Sequence, residues 1–360
     1  SFAFDVVVAF ATANRISAFA TGDLFNLYVW FEVMLIAALG LLTHRGRVAE
    51  LDGALRYLVL NMVGALVLLS GIAVIYGVTG QLNFVALTRA AAGQADNPLL
   101  AAGIALVAVA FLAKAAAFPV FSWLPGAYHV LPAPVLALFA GLLSKVGVYA
   151  LLRLFGQIFP LAMPDWQPLL GVVAVATMLA GALGAAYHWD LRRILAFHIV
   201  SQIGYLILAL ALSTPAGYGA ALFYTVHHIL VKSNLFLLAA LIFRVTGSYD
   251  LRRIGGVMAA RPLLAVLFAV PALSLVGIPP LSGFWAKFFV LKESFATGHW
   301  VWAVAALATG VLTLYSMSKI WIEAFWKPHP APVAAVPLPA AVAGLVEAAP
   351  QRRRDGKGRF

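Results

Sequence analysis

The stretch "FLAKAAAFPVFSWLP", residues 111–125, holds a lysine inside an apolar run and then interrupts that run at Pro119 and Pro125. Proline lacks a backbone N–H and clashes with the preceding turn, so it breaks or kinks a helix interior. An ammonium group among apolar residues costs free energy unless a partner compensates it. The stretch therefore predicts a broken helix in apolar surroundings, and it raises the question of what Lys114 does there.

The rest of the chain has the composition of a membrane protein. It has 360 residues, of which 63% are hydrophobic and 10% are charged. Apolar stretches of about 20 residues, the length that crosses a bilayer, alternate with short polar ones. Only helices and closed barrels satisfy the backbone in hydrocarbon, and these runs are too long and continuous for barrel strands. The sequence therefore predicts an all-α membrane protein.

Two features of the composition exclude other classes of function. The chain contains no cysteine, which excludes disulfides, thiolate-bound iron–sulfur clusters and c-type haem attachment within it, and we expect no cofactor. The formal net charge is +11, but the basic residues lie in short loops and near the C-terminal end rather than on one surface with interleaved aromatic residues. Membrane topology explains that pattern, so nucleic acid is not an expected partner.

Hydropathy over windows of about 19 residues predicts about ten transmembrane spans. They lie near residues 3–22, 24–43, 54–79, 98–120, 133–156, 167–188, 193–213, 217–245, 262–297 and 300–325. The ninth is too long for one straight helix, and its middle reads "GIPPLSG", residues 277–283. We therefore expect it to consist of two half-helices.

The predicted spans form two sets of five, residues 3–156 and 167–325, with an interrupted helix fourth in each set. An odd number of spans makes the second set enter the membrane from the opposite face. This is the arrangement of inverted-topology repeats, whose broken helices mark an ion or substrate site near the midplane. We therefore expect a transmembrane domain over residues 1–326, built from two inverted repeats, and a disordered Pro- and Ala-rich basic tail over residues 327–360.

Lysine and arginine in short loops predict the orientation, because cytoplasmic loops carry the positive excess. One side of the membrane receives Arg45, Arg47, Arg56, Arg192, Arg193, Arg252, Arg253 and Arg261, and the other receives Arg89, Arg153 and Lys292. Both ends of the chain are therefore expected to be cytoplasmic. The chain begins with Ser and polar residues interrupt its first apolar run, so we expect no cleavable signal peptide and a start inside a longer reading frame.

Ionisable residues lie deep in the predicted spans or beside the breaks: Glu32, Lys114, Lys145, His227, His228, Lys232 and Lys287. Each charge at that depth opposes insertion by about 2.5–3.5 kcal/mol. Long lysine side chains can reach the headgroups or form one static ion pair. That explanation fits Lys145 poorly, since about 12 apolar residues, or about 18 Å of helix, lie on either side of it. We therefore interpret Glu32, Lys114 and Lys145 as functional residues.

The histidines are not arranged to bind a metal. His227 and His228 are adjacent and cannot share a helix face, and no other ligand stands at a suitable spacing. His228 and Lys232, four residues apart, do share a face. A second polar stripe contains His198, Ser201 and Tyr205. Its side chains either form hydrogen bonds with neighbouring helices or line a hydrated path, to which His227 would also belong.

Several stretches resemble one family of membrane proteins. They are "GDLFNLYVWFEVMLIA", "AFLAKAAAFPVFSWLPGAYHVLPAPVLALFAGLLSKVGVYALLR", "DLRRILAFHIVSQIGYL" and "GIPPLSGFWAKF". Through them residues 5–325 resemble the antiporter-like membrane subunits shared by respiratory complex I and the Mrp multisubunit cation/proton antiporters. The stretch "GDLFNLYVWFEV" is more similar to the D-type subunits of Mrp antiporters than to their complex I relatives.

The resemblance implies roles for residues already singled out. Glu32 would be the acidic partner beside the broken helix, Lys114 would lie on that helix, and Lys145 would be the central relay. Lys232 and Lys287 match the second half-channel of the family. A proton released from Lys114 would then pass through water and polar side chains to Lys145, and onward past His228 and Lys232 to Lys287. The chain departs from the family in two ways: the first three and the last of about fourteen helices have no counterpart here, and the tail does not look like the family's C-terminal region.

The function implied by this resemblance is that of a proton-translocating subunit of a multisubunit Na⁺/H⁺ antiporter in a bacterial cytoplasmic membrane. Its expected partners are other antiporter subunits, membrane lipid, H⁺ and Na⁺. One alternative is a subunit of a redox-driven pump, complex I or a membrane-bound hydrogenase, which would make the chain part of an NADH:quinone oxidoreductase or a related enzyme. Another is a truncated fragment that packs against partners and transports nothing.

Overall fold

The computed structural model describes residues 16–43, 46–131 and 133–329, and this part of the chain folds almost entirely into helices. The helices are α1 (Leu24–Leu42), α2 (Val48–Thr79), α3 (Phe84–Ala92), α4 (Pro98–Lys114), α5 (Trp123–Tyr128), α6 (Ala133–Leu138), α7 (Ser144–Arg153), α8 (Met163–Tyr187), α9 (Leu191–Ala211), α10 (Pro215–Thr246), α11 (Val257–Ala260), α12 (Pro262–Val276), α13 (Ser282–Ala296) and α14 (Trp300–Trp321). Residues 16–20 are also helical. π-Helical segments at Phe139–Leu143, Leu154–Ile158 and Ile322–Trp326 extend α6, α7 and α14. The prediction of an all-α protein is confirmed.

Seven helical segments of the described chain are long and apolar enough to cross a membrane, and α4 and α12 are shorter apolar helices. The predicted spans from 24–43 to 300–325 each overlap a helical segment of the described residues, but the helix of the span predicted at 98–120 already ends at Lys114. Of the first predicted span, 3–22, only the end lies within them. The predicted tail, apart from its first residues 327–329, lies outside the described part of the chain.

Local sequence signals explain where several long helices begin and end. The Asp190 carboxylate accepts hydrogen bonds from the backbone N–H groups of Arg192 and Arg193, which caps the start of α9. At its end α10 stops at Gly247, whose φ of +75° is favourable only for glycine. The same left-handed ending occurs at Gly80 after α2. These caps fix the lengths of the long spans.

The first break begins earlier than its prolines indicate. Helix α4 ends at Lys114, and irregular backbone follows until α5 begins at Trp123. Ala116 adopts a φ of +62°, and the N–H of Ala117 bonds back to Leu112 O at 2.9 Å. The second break is shorter: α12 ends at Val276, followed by Gly277 with φ +97°, and α13 begins at Ser282. Both predicted interruptions are therefore present, and the first follows Lys114 directly.

Helix α9 forms the centre of the bundle. Its residues from Ile194 to Ala211 are buried on every face apart from Phe197, which is half-buried. Helices α8, α10 and α14 pack around it. A helix that is enclosed on all sides is expected to be apolar all round, so the polar residues that α9 carries are exceptions to this rule.

Two isolated antiparallel contacts hold corresponding parts of the chain. Asp23 bridges Asn83, and Asp190 bridges Asp250. Each contact is closed by two backbone hydrogen bonds of 2.8–2.9 Å. Each joins the start of a long helix, α1 or α9, to the loop that follows the next long helix. The two halves of the chain thus form the same kind of backbone bridge at corresponding positions.

The basic loops meet at one end of the bundle, which we call the basic end (residues 46–48, 129–131, 187–193 and 244–253). Arg47, Arg192 and Arg244 line one cavity there. Residues 88–101 and 158–166 line a cavity at the opposite end. Of the arginines that the sequence analysis assigned to one side of the membrane, Arg47 and Arg192 lie together at this cavity, and Arg45 lies outside the described residues.

Candidate functional site

The first part of the site is an ion pair between α1 and the end of α4. Lys114 Nζ lies 3.6 Å from Glu32 Oε1, and the two side chains are 4% and 23% exposed. The ammonium also lies 5.0 Å from the centre of the Phe31 ring. Among the described buried lysines, Lys114 is the only one that has a carboxylate partner. At 3.6 Å the two groups lie slightly beyond ordinary hydrogen-bond distance, so charge is the main attraction between them.

A small cavity adjoins this pair. It measures about 10 Å³ and is lined by Lys114, Phe31, Tyr57, Asn61, Trp123 and Leu143. That volume is at the lower limit of what holds one water molecule. The Trp123 indole donates to Ala113 O at 3.1 Å, which anchors the far side of the break to the last turn of α4. The break therefore leaves a water-sized space beside the ammonium group, with a mostly apolar lining that also includes Met34 and Leu35.

Lys145 lies at the start of α7 and is fully buried. Its Nζ donates to the carbonyl oxygen of Ala140, a residue of the π-helical segment just before α7. The wider turn of a π-helix interrupts the regular hydrogen-bond ladder, so the side chain finds its acceptor on its own helix. Among the described residues no carboxylate forms an ion pair with Lys145.

Close helix packing brings α7 to the first break. A Cβ added to Gly147 would lie 2.7 Å from Ala115 N, a distance that real Cβ atoms essentially never show. Only a glycine allows α7 to pass the irregular backbone this closely. Gly147 stands two residues after Lys145 and therefore sets how near that lysine's helix lies to the break.

The next basic residues lie on α10, facing α9. Lys232 is fully buried, and its Nζ donates to Leu195 O at 3.3 Å. His228, one turn earlier, is also fully buried, and neither of its ring nitrogens has a hydrogen-bond partner. Lys145 and Lys232 both lie within electrostatic range of His228. An imidazole with two unsatisfied nitrogens in a dry interior is costly, so His228 is the least satisfied group in the site.

A polar stripe on α9 connects this region to α14 and α10. His198 Nε2 lies 2.7 Å from Ser316 Oγ on α14, and the Tyr224 hydroxyl donates to Gln202 Oε1. Ser201 Oγ is buried without a partner. Gln202 and Tyr224 were missed in the sequence analysis, although each stands four residues from a histidine already singled out: His198 and His228.

Lys287 lies on α13, and its side chain reaches back to the second break. Its Nζ donates to Val276 O at 2.7 Å, the last carbonyl of α12. The ammonium lies 5.3 Å from the centre of the Tyr205 ring. His227 Nδ1 lies 2.9 Å from Ser282 Oγ at the start of α13. Lys287, Tyr205 and His227 thus converge on the broken helix.

The candidate residues form two groups rather than one hydrogen-bonded chain. Glu32 and Lys114 make up the first group. In the second, Lys145 and Lys287 both lie within electrostatic range of Lys232. No hydrogen bond or ion pair between described residues joins Lys114 to Lys145, although α4 and α7 pack against each other. Any transfer between the groups therefore needs water or a movement of side chains.

Lys319 is a buried lysine that binds the end of a helix and lies outside the proposed site. Its Nζ donates to Ala186 O at 2.6 Å and to His188 O at 2.7 Å. These carbonyls belong to the C-terminal end of α8, where unpaired carbonyls favour a cation. Lys319 therefore has a structural explanation as a helix cap.

One buried acidic residue was not anticipated. Glu50 lies in the first turn of α2, is 3% exposed and has no hydrogen-bond partner for either carboxylate oxygen. The positive end of the helix dipole favours a carboxylate at that position.

Within the described residues, no group of three or more His, Cys, Asp and Glu side chains could hold a metal ion.

The sequence matches one transmembrane family over most of its length. The family model described as "NADH:quinone oxidoreductase/Mrp antiporter, TM" matches residues 21–313. The D-type subunit of the Na⁺/H⁺ antiporter of Alkalihalophilus pseudofirmus is 42% identical over 317 residues, which cover 88% of this chain and 64% of that protein. The corresponding D-type subunit of Bacillus subtilis is 36% identical over 319 residues, covering 89% of this chain and 65% of that protein. The chain thus spans a little under two thirds of these relatives.

Solved structures give the same result. A chain of the Mrp complex from Dietzia sp. DQ12-45-1b matches with a TM-score of 0.85 and 39% identity, covering 91% of this chain and 62% of that one. A chain of respiratory complex I from Thermus thermophilus matches with a TM-score of 0.79 and 28% identity, covering 94% and 74%. The fold, the buried basic residues and these matches together establish that this chain belongs to the NADH:quinone oxidoreductase/Mrp antiporter transmembrane family.

Proposed function

We propose that the chain is the proton-translocating membrane subunit of a multisubunit Na⁺/H⁺ antiporter. The observation that carries the proposal is the series of buried basic side chains that follows the Glu32–Lys114 pair: Lys145, His228, Lys232 and Lys287. Charged residues inside a membrane protein mark ion pathways and proton relays far more often than they serve packing. The relatives named as D-type subunits of Na⁺/H⁺ antiporters support the same function.

The Glu32–Lys114 pair is proposed to control the start of the relay. Unit charges 3.6 Å apart attract each other by about 4–5 kcal/mol at an effective dielectric near 20. Pairing therefore stabilises the ammonium form, and separation of the pair favours release of the proton. The adjacent break and its water-sized cavity provide a place for that proton to leave.

From Lys114 the proposed route runs through water to Lys145, then past His228 and Lys232 to Lys287. The unsatisfied nitrogens of His228 support this order, because they can accept and donate a proton in turn. His198, Ser201, Tyr205 and His227 line the proposed polar path beside it. The two breaks, the two corresponding bridges and the order of the helices support a division into two inverted repeats, residues 3–156 and 167–325.

We further propose that the chain lies in a bacterial cytoplasmic membrane with other antiporter subunits as partners. The basic end would face the cytoplasm, because the arginines cluster there. Both ends of this chain would then be cytoplasmic, as the sequence predicts.

A redox-driven complex is the second candidate, supported by the similarity to a complex I chain. The higher identities to Mrp proteins, 42% and 39% against 28%, favour the antiporter. Neighbouring genes separate the two, since an antiporter lies among other antiporter subunits and a redox pump among iron–sulfur and quinone or hydrogenase subunits. A fragment that transports nothing is the third candidate, and loss of transport in the lysine variants excludes it.

The test is Lys145→Arg, measured as Na⁺-dependent proton movement in everted membrane vesicles. Arginine keeps the charge but does not release its proton at any relevant pH. We expect the variant to assemble at normal abundance and to lose proton movement. Lys145→Ala should also fail to transport.

The control is Lys292→Arg, because Lys292 is exposed at the end of α13. It should transport at the wild-type rate. If Lys145→Arg also does so, the site needs only a fixed positive charge, and the relay role of Lys145 is wrong.

A further inference from the structure

The basic end contains a cavity that the proposed relay does not use. It has a volume of about 770 Å³ and lies between α2, α6, α9 and α10. Three arginines line it together with apolar side chains: Arg47, Arg192, Arg244, Val130, Leu131, Pro134, Leu237, Leu241, Phe243 and Tyr249. No acidic residue is among its described lining residues. The cavity therefore combines concentrated positive charge with an apolar wall.

The arginines reach the cavity from three separate elements. Arg47 immediately precedes α2, Arg192 lies in the first turn of α9, and Arg244 lies in the last turn of α10. Arg47 and Arg244 form no ion pair with any described residue. All three stand at the ends of long apolar helices, which is the depth of the lipid headgroups.

Arg192 is the most fixed of the three. Its guanidinium stacks on the Tyr249 ring at 3.9 Å from the ring centre and lies 3.4 Å from the Asp190 carboxylate. Its Nε is buried and has no hydrogen-bond acceptor. The side chain as a whole is 22% exposed and lines the cavity, so the stacked guanidinium presents its remaining N–H groups there, and a phosphate oxygen is an acceptor that suits them.

The apolar wall runs from the arginines toward the middle of the membrane. Leu237, Leu241 and Arg244 are spaced by four and three residues, so they form one stripe on α10. The stripe extends about 10 Å along the helix from Arg244. Leu237 is 44% exposed and Leu230, two turns further on, is 60% exposed. A free phosphate ion would contact only the arginines, whereas an acyl chain also covers this stripe.

We propose that the cavity binds an anionic phospholipid, with its phosphate among Arg47, Arg192 and Arg244 and an acyl chain along the exposed leucines of α10. The site is independent of the proton relay. Basic pockets between helices at a membrane surface recognise anionic headgroups through this combination of charge and apolar contact. An acidic segment of a neighbouring subunit would form ion pairs with the arginines but would not cover the leucine stripe of α10.

The test measures lipid binding to the full-length gene product in detergent by native mass spectrometry. The probes are phosphatidylglycerol, phosphatidylcholine with the same acyl chains, and inorganic phosphate as a competitor. We expect saturable binding of phosphatidylglycerol that exceeds phosphatidylcholine by about fivefold or more, since each nearby basic residue contributes about that factor. Equal binding of the two lipids, or displacement of phosphatidylglycerol by equimolar inorganic phosphate, would overturn the proposal.

Matched variants locate the site. Arg47→Gln and Arg244→Gln should each weaken phosphatidylglycerol binding about fivefold, and the double variant about 25-fold. Arg89→Gln, an exposed arginine on α3 at the opposite end of the bundle, should change it less than twofold. Binding that is the same in all of these variants contradicts the assignment.

A photocrosslinking residue in place of Leu241 then identifies the occupant in the assembled native complex. A crosslink to phospholipid supports the proposal. A crosslink to another subunit overturns it and assigns the cavity to a protein contact.

Discussion

The substitution Glu32→Gln removes the negative charge that pairs with Lys114 and leaves the shape of the side chain nearly unchanged. The pair separation is 3.6 Å. At an effective dielectric near 20 the attraction that is lost is about 4.6 kcal/mol, and at the dielectric of bulk water it is about 1.2 kcal/mol. Because the Glu32 side chain is 23% exposed, the true value lies between these limits. The lower limit corresponds to a factor of about seven.

We therefore expect Glu32→Gln to reduce Na⁺-dependent proton movement in everted vesicles at least sevenfold, by the lower limit of that attraction. The protein should assemble at normal abundance, because the amide keeps the packing between α1 and α4. The matched control is Glu323→Gln, which removes the charge from another Glu–Lys pair, with Lys327 at 2.6 Å near the basic end. It should transport normally. Exchange by Glu32→Gln within twofold of the wild-type rate, at equal abundance, would refute a role of the pair in transport.

Two further predictions concern packing and orientation. Gly147→Ala should lower the free energy of unfolding by about 1–3 kcal/mol, because the new Cβ would lie 2.7 Å from Ala115 N. The change should appear as a lower Tm in detergent. The control is Gly64→Ala, where an added Cβ meets nothing within 4 Å, and it should leave the Tm unchanged. The chain has no native cysteine, so Arg253→Cys should react with a membrane-impermeant thiol reagent only from the cytoplasmic side and Asp96→Cys only from the outside. The reverse pattern would invert the proposed orientation.

The fold was predictable from the sequence because its signals are long and repeated. Apolar runs of membrane-spanning length and the proline pairs near the two breaks are visible without any structure. The start of the first break was not. Helix α4 stops at Lys114, ahead of Pro119, since Ala116 takes a left-handed conformation that no residue type in the stretch announces.

The sequence identified most residues of the candidate site, but not the atoms that those residues contact. Charged residues in apolar runs identified Glu32 and the buried lysines. Their partners depend on the relative positions of helices, so the hydrogen bond from Tyr224 to Gln202 across two helices had no signal beyond helical spacing. The acceptor of Lys145 depends on a π-turn, which sequence periodicity does not reveal. The transport roles themselves remain predictions.

The directions of the lysine contacts bear on how the chain enters the membrane during synthesis. Each buried lysine of the proposed relay contacts an acceptor that precedes it in the sequence: Glu32 for Lys114, Ala140 for Lys145, Leu195 for Lys232 and Val276 for Lys287. Synthesis proceeds from the N-terminus, so every ammonium group emerges from the ribosome after the group that will receive it. The insertion cost of each lysine, about 2.5–3.5 kcal/mol, is thereby offset as soon as that lysine's helix packs against the earlier segment. Glu32 is the exception, because it enters with α1 before its partner Lys114 has been made.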